Sequence, residues 1–357
     1  MTVEFVGMIG ASYYSEDKAH SGPAIDQAYL KKFARAYDEG GFDWTLVPYG
    51  SASPESNQLA AAVLSRTERL KVMLAHRPGV TFPTNTARAF ATLDQLSEGR
   101  LGIHFLAGGN DAEQRREGDY LGKDERYERA GEYIRILRRA WASSEPFSHE
   151  GKYYQFENYS SSVLPVDRGL TVSVGGSSDA AYQLGGAEGD VFGLWGEPLA
   201  ETAEQIASVN GYADTAGRPR PRIWVSFRPI IAATDELAWE RAERILGGIK
   251  DNFTARTPVA AGPQNVGSQR LLAVAEKGER HDRALWTPTA SATGGAGSST
   301  ALVGSYETVA AALLDYVDIG CELLSVRGYD PLNDAIDLGR YVLPLVRQEL
   351  AHRTQAA

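Results

Sequence analysis

Thr171-Val172-Ser173-Val174-Gly175-Gly176-Ser177-Ser178-Asp179 reads as a short apolar strand, a glycine turn and the start of a helix. Paired glycines let a backbone turn sharply and come close to a ligand. Ser177 and Ser178 set hydroxyls and backbone N–H groups at a helix N-terminus, where the dipole favours an anion. Two readings stand on these residues alone: a phosphate cradle, or an ordinary N-capped strand-to-helix turn. Either way the unit is strand–turn–helix, and its recurrence along the chain decides the fold.

Upstream, apolar runs at 3–9, 44–48, 70–75 and 101–106 read as strands. Helical patterns at 23–40, 55–65, 84–96 and 126–141 alternate with them, the first carrying Ile25, Tyr29, Phe33 and Tyr37 on one face. Residues 153–156 suggest a small hairpin. Downstream, strand-like 170–174, 191–194, 223–231 and 322–326 are followed by helix-like 180–185, 199–213, 236–249 and 333–350. Eight strand–helix units predict an α/β fold, a (β/α)8 TIM barrel, as one domain over 1–357. Residues 251–304 break the rhythm, and 287–300 are nearly all Thr, Ser, Ala and Gly. A plain surface loop is one reading of this insertion; a mobile active-site lid before the last strand is the one expected.

With 357 residues, 43% of them hydrophobic, the chain can bury a large core. A formal net charge of −10 argues against a nucleic-acid partner but not against a small anionic ligand held in a local pocket. No apolar run approaches the ~18 residues of a membrane span. The first residues lack a basic signal-peptide region, so a cytoplasmic location is expected. The single cysteine, Cys321, lies in an apolar run and reads as a buried thiol. The six histidines show no metal-ligand spacing, so no metal site is expected.

Barrel active sites lie at the C-terminal ends of the strands. That rule nominates residues 49–53, His76-Arg77, Ala107-Gly108-Gly109-Asn110, the 175–178 turn, Trp195, Phe227-Arg228-Pro229 and Arg327-Gly328-Tyr329. His104 interrupts an apolar strand, where a core histidine satisfied by a neighbour is the plain reading. Arg228 in a buried strand requires an anionic partner or exposure at the strand end. No nucleophile–base pair and no paired carboxylates stand out, which points to a bound cofactor as the agent of chemistry.

Several runs carry a family resemblance: Arg77-Pro78-Gly79-Val80-Thr81-Phe82-Pro83-Thr84, Ala91-Thr92-Leu93-Asp94-Gln95-Leu96-Ser97-Glu98-Gly99-Arg100 and Glu125-Arg126-Tyr127-Glu128. Gly175-Gly176-Ser177-Ser178-Asp179, Trp195-Gly196-Glu197-Pro198, Gly294-Gly295-Ala296-Gly297, Thr300-Ala301-Leu302-Val303-Gly304 and Gly328-Tyr329 continue it. Their order resembles that of the bacterial-luciferase-like flavin monooxygenases, closest to the alkanesulfonate monooxygenase branch. The resemblance implies a barrel that takes FMNH2 from a separate NAD(P)H:flavin reductase and inserts one oxygen of O2 into a small organic substrate through a flavin-peroxide. It implies FMN contacts from Gly108, Gly109, Tyr127, Gly175, Gly176, Ser177, Ser178 and Trp195, and a homodimer or homotetramer.

Departures from the branch pattern lie around the substrate. Ser53 stands where the branch has cysteine, Ser226-Phe227-Arg228 replaces Arg-x-His, and Thr293 replaces the lid arginine. Tyr329-Asp330-Pro331 keeps the tyrosine of Tyr-Pro-His, and His104 replaces an asparagine. The resemblance therefore implies catalytic roles for Arg228, Tyr329, His104 and Ser53, and substrate contacts from His76, Arg77, Phe227 and Thr293. The rebuilt clamp leaves an anionic or organosulfur substrate open. Two alternatives remain: an F420-dependent oxidoreductase on the same barrel, and a non-catalytic flavin-binding protein.

Overall fold

The computed structural model describes residues 3–19, 21–254, 263–295, 297 and 299–356. The chain begins with β1 (Glu4–Met8), α1 (Gln27–Glu39), β2 (Trp44–Val47), α2 (Ser56–Leu64), β3 (Lys71–His76) and α3 (Pro83–Leu96). It continues through β4 (Leu101–Phe105), α4 (Asp111–Arg116), α5 (Lys123–Ala142), β5 (Phe147–Glu150), β6 (Gln155–Tyr159), β7 (Thr171–Gly175) and α6 (Asp179–Glu188). Next come β8 (Val191–Trp195), α7 (Leu199–Thr215), β9 (Arg222–Ala232), α8 (Asp235–Thr254), α9 (Val266–Lys277), β10 (Arg280–His281) and β11 (Leu285–Trp286). The last elements are α10 (Pro288–Ala292), β12 (Ala301–Ser305), α11 (Tyr306–Asp318), β13 (Cys321–Val326), α12 (Pro331–Asp337) and α13 (Leu343–Ala356). The strand order β9-β13-β1-β2-β3-β4-β7-β8, with β8 also paired to β9, is that of an eight-stranded parallel α/β barrel. The eight are the strands expected from the sequence.

The chain divides into two compact units. The first comprises 1–45, 193–207 and 222–357. In it β1 pairs with β13, and β13 with the first half of β9, ending at Val326 opposite Phe227. The second half of β9 pairs in parallel with β12, Arg228 opposite Ala301 through Ala232 opposite Ser305. Ile230, Ala238, Ile245, Ile249, Trp286 and Val303 pack there into one core. The second unit comprises 46–192 and 208–221. Its strands β3, β4 and β7 pair in parallel, and β5 and β6 form an antiparallel hairpin.

Local chemistry sets the helix ends. The Asp26 carboxylate accepts from Ala28 N–H and Tyr29 N–H, so α1 starts at Gln27 and the expected Ile25 stays outside it, exposed. Glu55 caps α2 in the same way. The segment 251–304 is less bare than its composition suggests. Asn265 caps α9, Pro288 occupies the first turn of α10, and Ala301–Ser305 is a ladder strand. Residues 255–262, 296 and 298 of the expected lid lie outside the described residues.

Candidate functional site

In the second unit, Gly175-Gly176-Ser177-Ser178 joins β7 to α6. Gly176 has φ +139°, and a Cβ there would lie 2.8 Å from the Ala181 methyl and 2.9 Å from the Tyr127 hydroxyl. Only glycine lets the turn fit under Tyr127. Ser178 is the N-cap of α6, its Oγ accepting from Ala181 N–H at 3.4 Å. Burial raises the pKa of the Tyr127 hydroxyl, against a hydrogen bond with Ser178. A groove of about 580 Å³ opens beside them, with Ser178, Tyr127, Lys123 and Arg135 in its lining. Tyr127 and the 175–178 turn are thus brought together.

The Gly108 turn after β4 is pinned from behind. Arg126, buried, donates from Nε to Ala107 C=O at 2.9 Å and from Nη2 to Gly108 C=O at 3.3 Å. Gly108 has φ +85°, and the Gln114 carboxamide fills the space a Cβ would need. Gln114 is fully buried, and neither its Oε1 nor its Nε2 meets a hydrogen-bond partner. Gly109 is exposed.

His104 is buried on β4, with Nδ1 2.8 Å from Ser173 Oγ on β7. Burial lowers its pKa to about 4, so the imidazole is neutral at physiological pH. His76 was expected to touch substrate, but it is built as a core residue. Its ring sits among Phe90, Phe105 and Tyr133, its Nε2 is 3.0 Å from the Tyr133 hydroxyl, and burial takes its pKa to about 3. Arg77, also expected on substrate, pairs with Glu117 and with Glu113 at 3.2 Å while lying 4.6 Å over the Tyr49 ring. Burial opposes ionisation of Glu113, yet the Ser51 N–H and Arg77 hold its pKa down. Ser53 is exposed in a turn, its N–H donating to Gly50 C=O at 3.0 Å.

In the first unit, Arg228 has the anionic partner its buried position requires. It is Glu16, bound through both oxygens at 2.8 and 2.9 Å. Nε and Nη2 of Arg228 also donate to Arg327 C=O at 2.8 Å and Gly328 C=O at 3.2 Å. Its guanidinium lies 3.9 Å from the centroid of the Tyr329 ring. The expected catalytic role of Arg228 is therefore corrected to a structural one, since four donor contacts already face the protein. Burial works against the charge of Glu16, but Arg228 and Arg327 hold its carboxyl well below the usual range.

Tyr329 is buried in the core beside α8, and its hydroxyl, near Thr289, makes no hydrogen bond of good geometry. Phe227 packs on the Tyr316 ring at 4.5 Å rather than facing open space. Thr293 spends its hydroxyl on Thr289 C=O at 2.9 Å and Ala290 C=O at 3.1 Å, closing α10. Both expected substrate contacts are thus internal. Trp195 is half-buried and lies against Gly267 at the start of α9. Sequence reasoning missed Glu16 and Gln114. Arg327 was nominated by its place directly after the last barrel strand, without a role of its own.

No cluster of metal-ligating side chains occurs among the described residues. Nor is any described helix long and apolar enough to cross a membrane. The fold is shared with EDTA monooxygenase (EmoA) from Chelativorans sp. BNC1, at 18% identity over 98% of this chain and 94% of that one, TM-score 0.80. Riboflavin lyase (RcaE), solved with modified FMN and riboflavin, matches at 18% identity over 98% and 92%, TM-score 0.80. An F420-dependent secondary alcohol dehydrogenase matches at 16% over 97% and 99%, TM-score 0.70. The model of the luciferase-like monooxygenases matches residues 9–323, and the chain therefore belongs to that flavin-dependent oxidoreductase family.

Proposed function

We propose that this chain is an FMNH2-dependent monooxygenase, supplied with reduced flavin by a separate NAD(P)H:flavin reductase. The observation that carries the reading is the 175–178 turn, where a Cβ on Gly176 would lie 2.9 Å from the Tyr127 hydroxyl and the chain enters the N-terminus of α6. Such a terminus suits a phosphate, with serine and tyrosine hydroxyls as added donors. Lys123 and Arg135 share the groove lining with four carboxylates, Asp124, Glu128, Asp179 and Glu188, among which the oligoglutamate tail of F420 would bring more negative charge than the single phosphate of FMN.

When bound, reduced FMN supplies the electrons that activate dioxygen for insertion of one oxygen atom. Ser177, Ser178 and Tyr127 would hold its phosphate. Arg126 fixes the Gly108 carbonyl, so the 108–109 turn offers a rigid backbone edge for the ring. His104, neutral and oriented by Ser173, can hold one ring proton without adding charge.

The deciding experiment is anaerobic fluorescence titration of the full chain with FMNH2, oxidised FMN and reduced F420. Strong preference for FMNH2 supports the reading. Preference for F420 replaces it with hydride transfer, and binding of none reduces the glycine-serine turn to a helix cap.

A further inference from the structure

We propose that Arg327 anchors an anionic group of the substrate, so that the molecule oxidised is an organic monoanion carrying a carboxylate or sulfonate. Glu16 is the one carboxylate shared by Arg228, at 2.8 and 2.9 Å, and by Arg327, at 2.9 Å. Asp334 also bears on Arg228 electrostatically, but its Oδ1 is held by Arg241 at 2.6 Å, and that pair is neutral. Two guanidinium groups against one carboxylate leave one positive charge in excess.

The excess falls on Arg327. Arg228 is sealed, with its donors on Glu16 and on two carbonyls and its face on Tyr329. Arg327 reaches Glu16 with Nη2 only, while its Nη1 meets the thioether sulfur of Met8 at 3.1 Å. A thioether is a weak acceptor, so that donor is under-used. The side chain of Arg327 is 20% exposed against 3% for Arg228, so Arg327 is the member that opens outward. Burial and the neighbouring Arg228 both work against its charge, which an added anion would relieve.

Position supports the same role. Met8 ends β1, Arg327 directly follows β13, and Arg228 sits on β9 one residue beyond the point where pairing with β13 stops. Three adjacent strands thus deliver the cluster at the C-terminal level of this unit, the end at which barrels bind ligands. A planar guanidinium with parallel N–H groups matches the oxygens of a carboxylate or sulfonate.

This inference deepens the monooxygenase reading and rests on it for the fate of the bound anion, but binding tests the anchor separately. Isothermal titration of the full chain with hexanoate, hexanesulfonate and hexan-1-ol, before and after adding FMNH2 anaerobically, supplies the test. Wild type is expected to bind at least one anion tenfold or more tighter than the alcohol. Arg327→Gln should abolish that preference and leave alcohol binding unchanged, and Arg327→Lys should restore part of it. Equal binding of anions and alcohol, absence of anion binding, or wild-type anion affinity in Arg327→Gln overturns the proposal. Should anions bind selectively while FMNH2 does not bind, the anchor stands and the flavin reading falls. Circular dichroism and FMNH2 titration of Arg327→Gln separate loss of the anchor from loss of the fold.

Discussion

Arg228 and Glu16 meet through two parallel N–H···O bonds of 2.8 and 2.9 Å although 212 residues separate them in sequence. Glu16→Gln would leave two guanidinium groups facing each other with a neutral amide between them. Breaking a buried pair by removing one partner costs about 3 kcal/mol or more. Urea denaturation should show that loss at pH 7. The sign with pH follows from the lowered pKa of Glu16. Its stabilisation is complete above the ordinary carboxylate pKa and is lost as pH falls through and below it. Wild type and Glu16→Gln should therefore converge in acid. Parallel curves would show that Glu16 contributes no titrating stability.

That pair also shows what a sequence can disclose. Arg228 inside an apolar run demands a counter-charge, and this demand was legible. Glu16 was not, because nothing local distinguishes it among the acidic residues until β1 and β9 are placed two strands apart. The eight barrel strands were legible because each is a short apolar run bounded by turn residues. β12 was not, since Ala301–Ser305 becomes a strand only by pairing with the second half of an eleven-residue β9. The low-complexity stretch from 287 onward hid α10 behind small residues, although Pro288 at its first turn was a start signal. His76 and His104 look alike in sequence; only the rings packed around His76 mark it as core.

The two buried histidines set a second pH window. Burial holds His76 to about 3 and His104 to about 4, below the ordinary 6.5. Both are neutral when folded and take up protons on unfolding, so stability is full above pH 6.5 and declines as pH falls toward 4. The urea midpoint should fall steadily across that range. His104→Gln keeps a hydrogen-bonding group toward Ser173 and removes one titrating site, so the decline should become shallower. An unchanged slope would mean that His104 is protonated in the folded state or does not sense this range.

Gln114 makes an opposite kind of prediction, a substitution that stabilises. Its carboxamide is buried against Gly108 with both polar atoms unpartnered. Gln114→Leu removes two unmet hydrogen-bonding groups at similar volume, and should stabilise the ligand-free protein by about 1–2 kcal/mol. Differential scanning calorimetry without flavin reads this as a higher Tm. A lower Tm would show that an ordered water already satisfies the amide.

Gly176→Ala tests the cradle at its tightest point. The residue has φ +139°, and an added methyl would press on the Ala181 methyl and the Tyr127 hydroxyl together. Neither neighbour can retreat freely, because Ala181 is fully buried in the first turn of α6 and Tyr127 is fixed on α5. The turn must shift, at a cost of about 1–3 kcal/mol in backbone strain. A phosphate held by N–H groups and hydroxyls of that turn loses alignment with all of them at once. The affinity for FMNH2 should fall by about tenfold or more, each factor of ten corresponding to about 1.4 kcal/mol. Riboflavin, which lacks the phosphate, should bind wild type and variant alike. That contrast separates damage to the cradle from damage to the ring site, and equal losses for FMNH2 and reduced riboflavin would place the phosphate elsewhere.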